Sequence, residues 1–231
     1  MVKFLTDMMD WSEVWATLIP LVVYLWVKPR GRWIRPLFVY LVLALLLSLV
    51  IDITWKCVDL GIEDWNKKIF WWLYRGETFY NLIFYNLNSF LRLILFTWFF
   101  YLVNSKYNKT YSIISFLFIT AGIVNFVLFE NIILTFSSRM FTIEAAIILF
   151  YCLLYYYSAI MNDEIKSLFS LPPFWIVVGL TLYASVNFLI FLFFKYLIEA
   201  EKNYAIGVWN VHNGIYIVLM IFIAVAFKKA K

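Results

Sequence analysis

The residues of this sequence that could do chemistry stand inside long apolar runs. Asn81, Tyr85, Asn88 and Arg92 recur at i, i+4, i+7 and i+11, and Trp209, His212, Asn213 and Tyr216 recur at i, i+3, i+4 and i+7. At those spacings each set shares one face of a helix. Asn86 stands in the same run as the first set, and Asp52, Asn125, Glu144 and Asn187 stand in other apolar runs. Ionisable groups in hydrocarbon are costly and need partners, so Arg92 is expected to pair with Glu144, with Asp52 as the competing partner. Hydrogen bonding between helices accounts for a single Asn. For the cluster as a whole the reading is a candidate ligand pocket lined by Asp52, Asn88, Arg92, Glu144, Asn187, Trp209, His212 and Asn213.

Other chemistries lack their residues. The sequence has one His, whereas a catalytic zinc site uses three protein ligands. There is no GxSxG elbow and no P-loop. The last apolar run, 204–227, carries no lysine for a retinal Schiff base. Cys57 and Cys152 have no metal-ligand spacing and no disulfide framework. No catalytic residue, metal or cofactor is assigned, and the pattern points away from an enzyme.

The elements that must position these residues follow from composition. Of 231 residues, 65% are hydrophobic and 14% charged, against about half and a quarter in a soluble domain. Mean hydropathy is +0.86. Such a chain has too little polar surface to cover a water-soluble globule, and a bilayer removes that need. Trp and Tyr number 11 and 16, as many interface crossings require. A spanning helix takes about 20 apolar residues. Seven runs qualify, over roughly 11–28, 35–55, 79–104, 110–129, 139–161, 173–197 and 204–227. The fold expected is all-α: one seven-helix transmembrane domain over 1–231. In loop 56–78 the run Ile69-Phe70-Trp71-Trp72-Leu73-Tyr74 is too short to span and reads as an interfacial segment. Met1 to Glu13 is polar and acidic, so no cleavable signal peptide is expected.

Net charge is +5. The basic residues sit in short clusters between apolar runs, where they orient helices; nucleic-acid binding is rejected. With loop 28–35 on the cytoplasmic side, Lys28, Arg30, Arg32, Arg35, Lys106, Lys109, Lys166, Lys228, Lys229 and Lys231 lie inside, ten basic residues against eight outside. The first loop is short and basic, and early short loops weigh most. Asp163 and Glu164 are the acidic residues of that side. The expected topology has the N-terminus outside and the C-terminus in the cytoplasm, in the cytoplasmic (inner) membrane. The polar residues then gather toward the outer face.

Three patterns carry a likeness beyond composition: Phe136-Ser137-Ser138-Arg139 followed by Glu144; Pro173-Phe174-Trp175-Ile176 with Gly179, Tyr183, Ser185 and Asn187; and Trp209-Asn210-Val211-His212 with Asn213. Trp98-Phe99-Phe100-Tyr101 also fits. On these, best from residue 79 onward, the sequence resembles a largely uncharacterised family of seven-transmembrane-helix proteins of Bacteroidota, often found near sensor histidine kinases. The resemblance implies a sensory or accessory role. One departure is Arg92, since the family carries an acidic residue near the position of Ser89 or Phe90. The expected function is a receptor-like membrane sensor or sensor subunit. It would take a small ligand or lipid from the outer side and signal to a separate effector, a histidine kinase or another membrane protein. The alternatives are a small-solute or lipid transporter, and a lipid-modifying enzyme with Glu144 and His212 as acid and base. Against transport, of the five prolines only Pro20 lies in the interior of a span, away from its first turn, and no repeat relates the two halves.

Overall fold

The structure, a computed structural model, describes residues 8–60, 67–75, 78–161, 167–200 and 202–231. Lys3, Asp163, Glu164 and Lys166 of the charge count lie outside the described residues, as do 61–66 and 76–77 of the 56–78 loop.

Among the described residues seven helices of 16 residues or more follow one another: α1 Ser12–Val27, α2 Ile34–Asp59, α3 Leu82–Val103, α4 Asn108–Leu128, α5 Ser138–Ile160, α6 Pro172–Ala200 and α7 Lys202–Lys229. The chain is a multi-pass membrane protein. Among the described residues six helices are long and apolar enough to cross a bilayer, with mean hydropathy from 1.3 to 2.6. Their outward faces are apolar as well: Phe116 and Val127 on α4 are 68% and 74% exposed, an arrangement that lipid solvates and water does not.

The expectation of seven spans meets a difference at α1. Its 16 residues reach only about 24 Å at 1.5 Å per residue. A helical turn over residues 8–10 precedes it and is broken at Trp11, whose carbonyl then accepts from the N–H groups of Val14 and Trp15. The apolar run is therefore helical over most of its expected length but is divided near its start. At its other end Lys28 adopts the left-handed conformation (φ 51°), its N–H bonded to the Tyr24 carbonyl. Pro29 then blocks continuation.

Packing is circular. α1 packs on α2, α2 on α3, α3 on α5, α5 on α6, α6 on α7, and α7 back on α1, while α4 lies outside against α3 and α5. The α6–α7 approach is close at Gly179, where a Cβ would stand 2.7 Å from Phe222 Cβ of α7. Consecutive helices run in alternating directions. At one end Arg30 N–H bonds the Ala230 carbonyl (2.9 Å), Lys229 lies over Trp175, Lys106 over Tyr157, and Arg35 shares a cavity wall with Trp98. This basic end closes over an aromatic core of Tyr40, Phe96, Phe99, Phe100, Tyr111 and Tyr151.

At the other end the α2–α3 connection forms a 3-10 turn, Trp71–Leu73, and a two-residue hairpin in which Tyr74–Arg75 pairs antiparallel with Thr78–Phe79. Leu73 is buried while Ile69, Trp71 and Trp72 are exposed. Phe70 and Trp72 meet Phe84 edge-on, so the segment rests on the start of α3.

Candidate functional site

Two linked groups of polar side chains lie inside the half of the molecule away from the basic end. In the first, α3 supplies Ser89 and Arg92, one turn apart on the same face; α5 supplies Glu144 and α6 supplies Tyr183. Arg92 donates through Nε to Glu144 Oε1 and through Nη2 to Oε2 at 2.8 Å. Ser89 Oγ donates to the same Oε2 at 2.5 Å, and Arg92 Nη1 donates to the Tyr183 hydroxyl at 2.6 Å. Both side chains are buried, 5% and 1% exposed. This is a two-pronged ion pair of the kind the planar guanidinium favours. Arg92 thus finds Glu144, and Asp52 takes no part. With its charge balanced and its carboxylate oxygens occupied, the pair ties α3, α5 and α6 together and offers little to a ligand.

The second group centres on Glu13 and His212. Glu13, in the first turn of α1, accepts from Ser48 Oγ of α2 at 3.1 Å. Its Oε1 faces His212 Nε2 of α7 at 3.7 Å. His212 Nδ1 lies 2.6 Å from Asn187 Oδ1 of α6; because that oxygen only accepts, Nδ1 is the ring nitrogen that carries hydrogen. Nearby, Thr17 donates to the Glu13 carbonyl (2.6 Å), which leaves Tyr216 as donor in their 2.7 Å contact. The Tyr183 ring joins the groups, 5.9 Å from His212 and 6.2 Å from Tyr216 by ring centroids.

Above this couple a cavity of about 270 Å³ opens among the ends of α1, α2, α3 and α7. Asp10, Trp11, Asp52, Trp55, Lys56, Tyr85 and Trp209 line it. Trp209 is the shared wall: one part faces the cavity, and its ring lies 5.0 Å from the His212 ring. Asp52 and Tyr85 are within electrostatic reach of Glu13. Larger grooves of about 510 and 390 Å³ lie between α3 and α4 and beside α5. Their walls are nearly all apolar and face outward, so they read as lipid-filled furrows.

The eight candidate residues therefore separate. Arg92 and Glu144 form the tether, Asn187 and His212 join Glu13, and Asp52 and Trp209 line the cavity. Asn213 Nδ2 holds the Met9 carbonyl at 3.1 Å and fixes the start of α1. Asn88 is half-buried and no hydrogen bond joins it to the pair; α3 reaches Glu144 through Ser89 and Arg92. The residues that sequence reasoning passed over are Asp10, Glu13, Ser48, Ser89 and Tyr183. A signal for most of them was present, since Glu13–Thr17, Ser48–Asp52 and Tyr183–Asn187 are i, i+4 pairs and Ser89–Arg92 is an i, i+3 pair. Among the described residues no group of three or more His, Cys, Asp or Glu side chains is placed to hold a metal ion. The chain matches no protein-family model, no curated protein and no solved structure.

Proposed function

We propose that the protein is a receptor-like sensor subunit. It crosses the cytoplasmic membrane seven times, N-terminus outside, and binds a small ligand in the cavity bounded by Asp52 and Trp209. The topology is supported by the basic cluster Lys28, Arg30, Arg32 and Arg35 at one end, the side that positively charged loops prefer. α1 completes the seventh crossing together with the helical turn over residues 8–10 that precedes it.

The observation that carries the function is the position of Trp209 between the cavity and His212. A ligand that moves this ring acts at once on the Glu13–His212 couple, and the couple bridges the helices at the seam where α7 closes on α1. A shift at that seam reaches the basic end through the Arg30–Ala230 contact, where a partner would read it. Signalling to a separate effector, and kinship with the seven-helix family found near histidine kinases, belong to the same proposal.

The test is native mass spectrometry of the protein drawn from its own membranes in mild detergent. A stoichiometric histidine kinase or other membrane effector is the expected companion. A protein that arrives alone, and that carries a solute across proteoliposome membranes, would replace sensing with transport.

A further inference from the structure

We infer that the basic end of the bundle holds an anionic phospholipid, its phosphate between Arg32 and Arg35 and an acyl chain in the furrow between α3 and α4. The site is remote from the Asp52 cavity and does not rest on the sensor reading.

The headgroup part is built where α1 turns into α2. Arg32 and Arg35 share the wall of one cavity of about 440 Å³ with Trp98 and Leu102 of α3. Both arginines are exposed. A guanidinium presents a planar fork of N–H donors that matches phosphate oxygens, and two of them on one wall can grip a single phosphate. Basic pockets between spanning helices recognise acidic headgroups in this way. The same spot is the start of α2, whose first turn carries no acidic residue, so the positive end of the helix dipole adds to the attraction. Trp98 is 41% exposed, and tryptophan is favoured at the level of lipid headgroups.

The chain part follows from how the cavity continues. Trp98 and Leu102 also belong to the α3–α4 furrow of about 510 Å³. From Leu102 to Ile94 the furrow follows α3 for about 12 Å at 1.5 Å per residue. That is close to half of a hydrocarbon core about 30 Å thick, the run of an acyl chain from headgroup toward the midplane. Arg35 and Trp98 further wall a cleft with Tyr24 of α1 and Phe38 of α2, which gives a second chain its own place. A free phosphate would use none of these apolar walls. A zwitterionic lipid would bring its own cation against two arginines. An anionic diacyl lipid uses every part.

The experiment is native mass spectrometry of the full chain, stripped of lipid in detergent and then offered phosphatidylglycerol or phosphatidylcholine with identical acyl chains. At equal concentration phosphatidylglycerol is expected to occupy a first site at least fivefold more. That preference should vanish in the double variant Arg32→Gln with Arg35→Gln. Ser112→Trp, which fills the furrow from an exposed position on α4, should lower the first adduct at least threefold. Glycerol phosphate in tenfold excess should leave the lipid bound. Equal binding of the two lipids, or a preference that survives the double variant, would overturn the inference. So would an adduct unmoved by Ser112→Trp, which would detach the lipid from the furrow, or displacement by glycerol phosphate, which would reassign the arginines to a soluble anion. Should loss of two loop charges disturb insertion, the lipid comparison on the unaltered chain and Ser112→Trp decide together.

Discussion

Arg92 and Glu144 show how the membrane turns a residue into a structural commitment. Burying one ion of a pair alone is far more costly than burying both, because the survivor keeps its charge and loses its partner. Arg92→Met and Glu144→Gln are each expected to lower stability by about 3 kcal/mol, the low end for breaking a buried pair. The double replacement Arg92→Met with Glu144→Met should cost less than either single change, since it leaves no unpaired charge. Thermal melts in detergent would read this order; three equal losses would show that packing, and not charge pairing, governs the site. The pairing was legible in the sequence because Arg92 is a lone cation deep in an apolar run and Glu144 a lone anion in another. Glu13 was not, because it stands at the edge of the first run, where a polar residue is ordinary. It becomes a buried-site residue only when α7 brings His212 and α2 brings Ser48 against it. Ser89 was passed over for a related reason: it stands one step around the helix from the polar stripe of Asn88 and Arg92, and its role shows only where α5 brings Glu144 against it.

Element by element, the helices are legible because each apolar run long enough to span leaves the backbone no other way to satisfy its hydrogen bonds in lipid. Neighbourhood is not legible in that way. Apolar faces all round give little sign of which helix meets which, and small residues supply the remaining clue. Gly179 is such a residue: an added methyl would press on Phe222 Cβ at 2.7 Å and Leu219 Cδ1 at 3.2 Å. Gly214 on α7 has nothing within 4 Å of the same position. Gly179→Ala should therefore destabilise by about 1–3 kcal/mol through overpacking. Gly214→Ala should be neutral or gain up to about 1 kcal/mol from helix propensity. If melting temperatures fall equally for both, the α6–α7 approach is looser than the geometry here. The break at Trp11 was beyond sequence reading for a different cause. Hydropathy runs smoothly through 11–28, and the irregularity belongs to the place where Asn213 clamps the Met9 carbonyl.

Across the whole molecule, the proposed sidedness decides whether the polar half can meet an external ligand at all. The cavity and the Glu13–His212 couple lie at the end opposite the basic cluster, so orientation converts directly into which compartment is sensed. The two cysteines provide a test without any engineered reporter. Cys57 is half-buried in the last turns of α2, one residue beyond the cavity-lining Lys56, whereas Cys152 is fully buried on α5 with its Sγ near the Val177 carbonyl. A membrane-impermeant maleimide applied to right-side-out vesicles should attach one label, and Cys57→Ser should remove it. The same reagent on sealed inside-out vesicles should attach none. The reverse pattern would place the N-terminus and the cavity on the cytoplasmic side. A ligand entering beside Asp52 would then come from the cell's own pool, and the outward-facing sensor would have to be given up even with every distance within the site unchanged.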